Sequence, residues 1–226
     1  MQKNLSAFYG KTKGFLIPYS LFAFVAIVFL IFSEKGKEVL LINSFSNPMF
    51  DRFFLIITNI GLGGFAVIVS LLLMLFNFKW SFLALLSFAW TGLFTFIFKR
   101  ILFVSETRPL HYFYYADFPR FIHDAPLIYY NSFPSGHTMT TFAFCFIICW
   151  LSGNVKAGAV LFFMAFVVGL SRIYLLQHFG TDVLAGSALG ILAASASIFI
   201  FNFMLSEKFK NSLNKGLWSL FSNRTN

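Results

Sequence analysis

Apolar residues run along this chain in long unbroken blocks, with no strand-like alternation and no single helical stripe. Six blocks stand out, at residues 15–32, 53–76, 81–98, 134–151, 155–176 and 183–205. A helix of about 20 apolar residues crosses a ~30 Å hydrocarbon core, so the pattern predicts six membrane helices. The fourth block is short and polar at its start, and it crosses only if its first turn belongs to a site at the membrane surface. Most of the connections are tight, and one, residues 99–133, is long. The fold class is therefore all-α: a single domain over residues 1–226, a bundle of six transmembrane helices with one long extracytoplasmic loop. Lys3, Lys11 and Lys13 precede the first block as in a signal peptide. Its 18 apolar residues and its exit through Ser33, Glu34 and Lys35, without a small-residue cleavage site, predict a retained helix.

Composition agrees: 58% hydrophobic residues, 11% charged residues and a mean hydropathy of +0.79 exclude a soluble globule. The formal charge of +9 could suggest nucleic acid, but its distribution points to a bilayer. With the N-terminus inside, nine Lys and Arg fall on the inner side and eight on the outer. Three of the outer eight, Arg100, Arg108 and Arg172, sit in polar clusters with their own chemistry, which leaves nine against five. The positive-inside rule then places both termini in the cytoplasm. From Ser206 onward, Phe209, Leu213, Leu217 and Leu220 recur about one turn apart among lysines, which predicts an amphipathic cytoplasmic tail over 206–226.

Three polar clusters interrupt the apolar chain, and six spans put them all on the outer side. They are Arg100 through Arg108-Pro109, then Pro134-Ser135-Gly136-His137, then Ser171-Arg172 with His178 and Asp182. Ionisable groups near hydrocarbon are costly, so such clusters read as functional. Their chemistry converges on phosphate. Arginine donates bidentately to phosphate oxygens and keeps its charge, which suits Arg108 and Arg172 to a clamp. Ser135 and Gly136 at a helix start offer backbone N–H groups, a hydroxyl and close approach. His178 and Asp182, four apart, can meet across one turn, so the carboxylate orients the imidazole and leaves its other nitrogen free to attack. His137 can then protonate the leaving oxygen and later activate water.

Other features read more plainly. Cys145 and Cys149 lack zinc-site partners in the right spacing and are core residues. Gly61, Gly63 and Gly64 have no Lys-Ser/Thr after them, so they mark helix packing and no phosphate loop. His111 and His123 are ordinary loop residues, and the aromatic run from Tyr112 to Tyr115 suits a membrane interface.

Pro134 to His137, and Ser171-Arg172 with His178 and Asp182, fix eight positions. They resemble the membrane lipid phosphatases of the type 2 phosphatidic acid phosphatase family, which shares its site with the vanadium haloperoxidases. The family pattern is Lys-x6-Arg-Pro, Pro-Ser-Gly-His and Ser-Arg-x5-His-x3-Asp, and the likeness covers about residues 50–200. It implies hydrolysis of a lipid phosphate or diphosphate with His178 as nucleophile, Asp182 as its orienter, His137 as general acid, and Arg108 and Arg172 as phosphate ligands. No metal or other cofactor is implied. The expected partners are the lipid substrate and the bilayer, without nucleic acid, and the expected setting is a bacterial inner (plasma) membrane with the site outside. The first motif departs from the pattern: eight residues separate Lys99 from Arg108, and seven separate Arg100 from it. Arg100 needs the smaller adjustment and is the expected third cation, with Lys99 as its substitute.

Overall fold

The structure, a computed structural model, describes residues 2–113, 120, 122 and 124–218; His123, Tyr114, Tyr115 and Leu220 lie outside them. The first block is the core of a helix that starts well before it, α1 (Gln2–Phe32), and runs through Pro18 without a break. After two short helices' worth of chain, α2 (Lys37–Asn43) and α3 (Pro48–Ile57), a 3₁₀ turn (Thr58–Gly61) leads into α4 (Gly63–Phe76). Then come α5 (Phe78–Ile97), a π turn (Phe98–Leu102), the single turn α6 (Pro109–Tyr112), α7 (Gly136–Ser152), α8 (Val155–Tyr174), α9 (Gly180–Phe199) with a π turn (Ile200–Met204), and α10 (Glu207–Ser212).

The all-α membrane architecture stands, and the six straight spans are refined. Among the described residues four helices are long and apolar enough to cross a membrane, within Leu5–Phe32, Phe78–Leu102, Val155–Tyr174 and Gly180–Met204. The second apolar block is broken: Pro48–Gly61 and Gly63–Phe76 meet at 57° around Leu62. The fourth, α7, has only 17 residues. It can be short because it is the central element, packed against α1, α5, α8 and α9 with most of its side chains buried.

Aromatic packing builds the core around α7. The Phe15 ring meets those of Phe142, Phe146 and Phe162 edge-on at 5.9, 5.4 and 5.7 Å, geometries that match positive ring edges to negative faces. Cys145 and Cys149 are buried free thiols on α7, as their spacing suggested. Against α9 the contact is made by backbone: a Cβ on Gly186 would sit 2.6 Å from the Ser135 carbonyl oxygen, and one on Gly190 would collide with that of Met139. Two glycines four apart thus let α7 and α9 touch, as small residues do in membrane bundles. Because Asp182 lies one turn before Gly186 and Gly136 opens α7, this contact sets the register of the polar clusters.

At the opposite end the tail folds back onto the bundle. The N–H groups of Phe78 and Lys79, which have no carbonyl partner within α5, donate to the carbonyls of Lys215 and Leu213 at 2.8 and 2.9 Å, and Asn77 Oδ1 also accepts from Lys79.

Candidate active site

The C-terminal end of α8 creates the site's main turn. Leu176 takes a left-handed backbone (φ 60°), its N–H donates to the Ile173 carbonyl at 3.0 Å, and the Gln177 N–H donates to the Arg172 carbonyl at 2.9 Å. These are the two bonds of a Schellman cap, with leucine where glycine is usual. The His178 N–H also reaches the Arg172 carbonyl, at 3.1 Å. The five-residue spacing from Arg172 to His178 is therefore one closed turn. A buried leucine held at positive φ stores strain on the order of 1–3 kcal/mol, which the packed surroundings over-determine.

Helix α9 starts immediately after, with Asp182 in its first turn. Asp182 Oδ2 receives three donors: the Phe179 N–H at 3.0 Å, the Ser132 hydroxyl at 2.5 Å and His178 Nδ1 at 3.3 Å. This arrangement assigns the Nδ1–H tautomer to His178 and leaves Nε2 unprotonated. His178 is 2% exposed. Burial, first, and then the charges of Arg108, Lys99 and Arg172 hold its pKa well below the usual histidine range. The imidazole is thus neutral at physiological pH, with its Nε2 lone pair free.

Two segments of the long connection run antiparallel over the site. The Arg108 N–H donates to the Tyr129 carbonyl at 2.8 Å and the Ser132 N–H to that of Glu106 at 3.1 Å, joined by a bridge between Thr107 and Tyr130. Arg108 is held entirely by neutral acceptors: Nε on the Tyr130 carbonyl at 2.9 Å, Nη1 on Gln177 Oε1 at 2.9 Å, and Nη2 on the Asn131 carbonyl at 3.4 Å. Burial lowers its pKa to about 10, with Asp182 pulling the other way, so it remains charged at neutral pH. Arg172 donates from Nη1 to the Thr58 hydroxyl at 2.6 Å, and its buried Nε has no partner. Among the described residues neither arginine forms an ion pair. Each guanidinium is thus buried with its positive charge unneutralised by a carboxylate.

Helix α7 opens at the same point. The buried Ser135 hydroxyl accepts from Thr138 Oγ1 at 2.8 Å and, more weakly, from its N–H at 3.5 Å, which caps the helix and leaves the Ser135 proton available. Gly136 leaves the helix start open, and His137 follows in the first turn. The bend in the second block explains itself here: a Cβ on Gly61 would sit 2.8 Å from His137 Cβ, so the break brings backbone against the second histidine and Thr58 against Arg172.

Lys99 joins Arg108 in the cationic cluster. Its Nζ donates to the Asn131 carbonyl at 2.8 Å, the same oxygen that Arg108 reaches. Arg100 is exposed and has no hydrogen bond to the cluster. The π turn at Phe98–Leu102 is the physical reason, because it takes more residues than an α turn and so accommodates the wider spacing to Arg108. On straight α geometry Arg100 is the nearer match to the family spacing, and the π turn is what sets Lys99 beside Arg108. Sequence reasoning missed Thr58, Ser132 and Gln177, whose roles depend on segments meeting from far apart; the buried apolar setting of Gln177 next to His178 was the one visible signal. Gly61 and Gly63 pack closely as expected, against His137 and Phe88, whereas Gly64 has open space. His111 pairs with the Tyr130 hydroxyl at 3.2 Å, an ordinary loop contact.

With this geometry in view, comparison with known families matches residues 80–205 to the PAP2 superfamily. The chain belongs to the PAP2 superfamily. Among curated proteins, the "bacitracin transport permease protein BcrC" of Bacillus licheniformis is 42% identical over 71 residues, which take in 31% of this chain and 32% of that protein. Phosphatidylglycerophosphatase B of Bacillus subtilis is 40% identical over 83 residues, 30% of this chain and 39% of that one. The matched segments thus span well under half of these relatives. The crystal structure of Aquifex aeolicus LpxE shares the fold, with a TM-score of 0.63 at 24% identity over 74% of this chain and 96% of that one. The PAP2 match takes in all three polar clusters and Lys99, and leaves out Thr58 and α1 to α4.

Proposed function

We propose that this PAP2 protein hydrolyses the terminal phosphate of a membrane lipid phosphate or diphosphate through a phosphohistidine, without a metal. The observation that carries the proposal is the neutral His178, fixed by Asp182, buried among cations that lack carboxylate partners. His178 Nε2 attacks phosphorus in line while Arg108, Arg172 and Lys99 take up the charge of the phosphoryl oxygens, the role that metal ions fill elsewhere. Ser135 and the start of α7 add neutral donors. His137 protonates the leaving oxygen, then accepts a proton from the water that releases phosphate. The names of the relatives, a phosphatidylglycerophosphatase among them, support a lipid substrate.

In the test, protein is mixed with a radiolabelled lipid phosphate and quenched within milliseconds. Wild type accumulates acid-labile phosphoprotein and His178→Ala accumulates none; label on the His178→Ala protein would refute the assignment. Activity should persist in EDTA and fall with vanadate, which mimics the trigonal phosphoryl group.

The charge distribution supports an orientation with both termini in the cytoplasm and the site outside. Both native cysteines are buried, so single cysteines at Ser105 and Ser212 report topology cleanly. An impermeant thiol reagent should label position 105 in intact cells, and labelling of position 212 alone would invert the reading.

A further inference from the structure

One face of α5 opens into a cavity of about 310 Å³, lined by Gly92, Thr95, Phe96, Lys99, Arg100 and Asn131. Its α5 wall faces outward: Phe96 is 58% exposed and the adjacent Leu93 45%. Its inner end reaches the site, because Lys99 and Asn131 belong to both, and because Thr95 Oγ1 lies 3.9 Å from where a Cβ on Gly136 would stand. The lining includes two cations and no carboxylate.

In-line attack by His178 sends the leaving group to the far side of the phosphorus, where the proton donor His137 must be. His137 follows Gly136 directly, so the leaving group lies at the inner end of this cavity and the lipid behind it extends toward the exposed α5 face. Lys99 is already engaged beside Arg108. Arg100, the next residue on the wide turn, lines the same cavity without a hydrogen-bond partner among the described residues.

We infer that this cavity is a leaving-group subsite for a lipid diphosphate, in which Arg100 binds the phosphate adjoining the one that is removed. This rests on the phosphatase reading above. The P–N bond to His178 forms as the terminal P–O bridge breaks; the electron pair passes to the bridging oxygen, which takes the His137 proton, and a lipid monophosphate leaves. Its charge is met by a guanidinium matched to phosphate geometry. When the substrate is a lipid monophosphate, the leaving group is a neutral alcohol, which gains nothing from Arg100.

The experiment compares a prenyl diphosphate with the prenyl monophosphate of the same chain length in mixed micelles, using wild type, Arg100→Gln, Arg100→Lys and His178→Ala. The readout is the ratio of kcat/KM for the diphosphate over the monophosphate. Arg100→Gln should lower that ratio about ten- to hundredfold, the range for one charge-assisted hydrogen bond, and Arg100→Lys should recover part of it. Arg100 is exposed, so the fold should tolerate both changes, and monophosphate turnover reports that directly. A ratio unmoved by Arg100→Gln, or a wild type that hydrolyses only the monophosphate, overturns the subsite. If His178→Ala turns over either substrate, the phosphohistidine assignment falls, and if wild type releases phosphate from neither, the phosphatase reading itself falls.

Discussion

The three buried cations of the site and the lysines at the other end of the bundle are held in different ways. At the site end Arg108, Arg172 and Lys99 are fixed by carbonyls, an amide and a hydroxyl, acceptors that orient a cation without neutralising it. At the other end Lys11 and Lys79 lie over the ring of Trp150 at 4.9 and 5.2 Å, and Lys210 pairs with Glu207. The same contrast recurs near the site itself. Arg120 is neutralised by Asp51 at 2.6 Å, and Tyr174 donates to the same carboxylate, so that arginine ties the long connection to α3 and α8. A cation whose partner is a carboxylate or an aromatic ring is occupied with structure. One held only by neutral acceptors keeps an unneutralised charge.

The largest expected effect concerns His137, because it shares the site with the cations yet has a different task. His137→Ala should lower lipid phosphate turnover by about 10²- to 10⁴-fold, the usual contribution of a general acid. A nitrophenyl phosphate, whose leaving group needs no proton, should lose far less. Equal losses on the two substrates would remove His137 from the proton-donor role.

Next in size is a direct contest between the two ends. Lys99→Gln should reduce kcat/KM about 10- to 100-fold, as expected for a lost charge-assisted contact to phosphate. Lys79→Gln, at the far end, should stay within about twofold and cost on the order of 0.5–1 kcal/mol of stability through its ring contact. Comparable activity losses in both variants would mean that the distinction between the two kinds of cation is false. A subtler version removes an orienting group: Thr58→Val leaves Arg172 charged but takes away its hydroxyl acceptor, and kcat/KM should fall roughly tenfold.

The smallest effect is on stability. His178 has a folded-state pKa well below the value of about 6.5 that it has when unfolded. Below pH 6.5 the unfolded chain binds a proton that the folded one does not, so stability is full above that pH and declines as pH falls through it. The slope is about 1.4 kcal/mol per pH unit for one such group. His178→Asn should therefore flatten the decline of Tm between pH 6.5 and 5 in detergent; an unchanged slope would mean that His178 takes up a proton in the folded protein.

The local character of this protein was legible in the residues themselves. The apolar blocks identify membrane helices because hydrocarbon tolerates few alternatives, and His178 with Asp182, or Pro134 to His137, are read locally because each lies within about one helical turn. What escaped that reading was set by distance and by departures from straight helices. The break at Leu62, the short central α7 and the π turn at Phe98 follow from packing, which rewards contact with α7 over regular geometry. Lys99 meets the Asn131 carbonyl beside Arg108 because the π turn departs from straight α geometry. Thr58, Ser132 and Gln177 reach Arg172, Asp182 and Arg108 across 114, 50 and 69 positions, and no local pattern encodes such a meeting. The amino-acid sequence determined which groups can do phosphoryl chemistry; the tertiary structure decided which cations stay free for it, because buried polar groups must find partners wherever the fold supplies them.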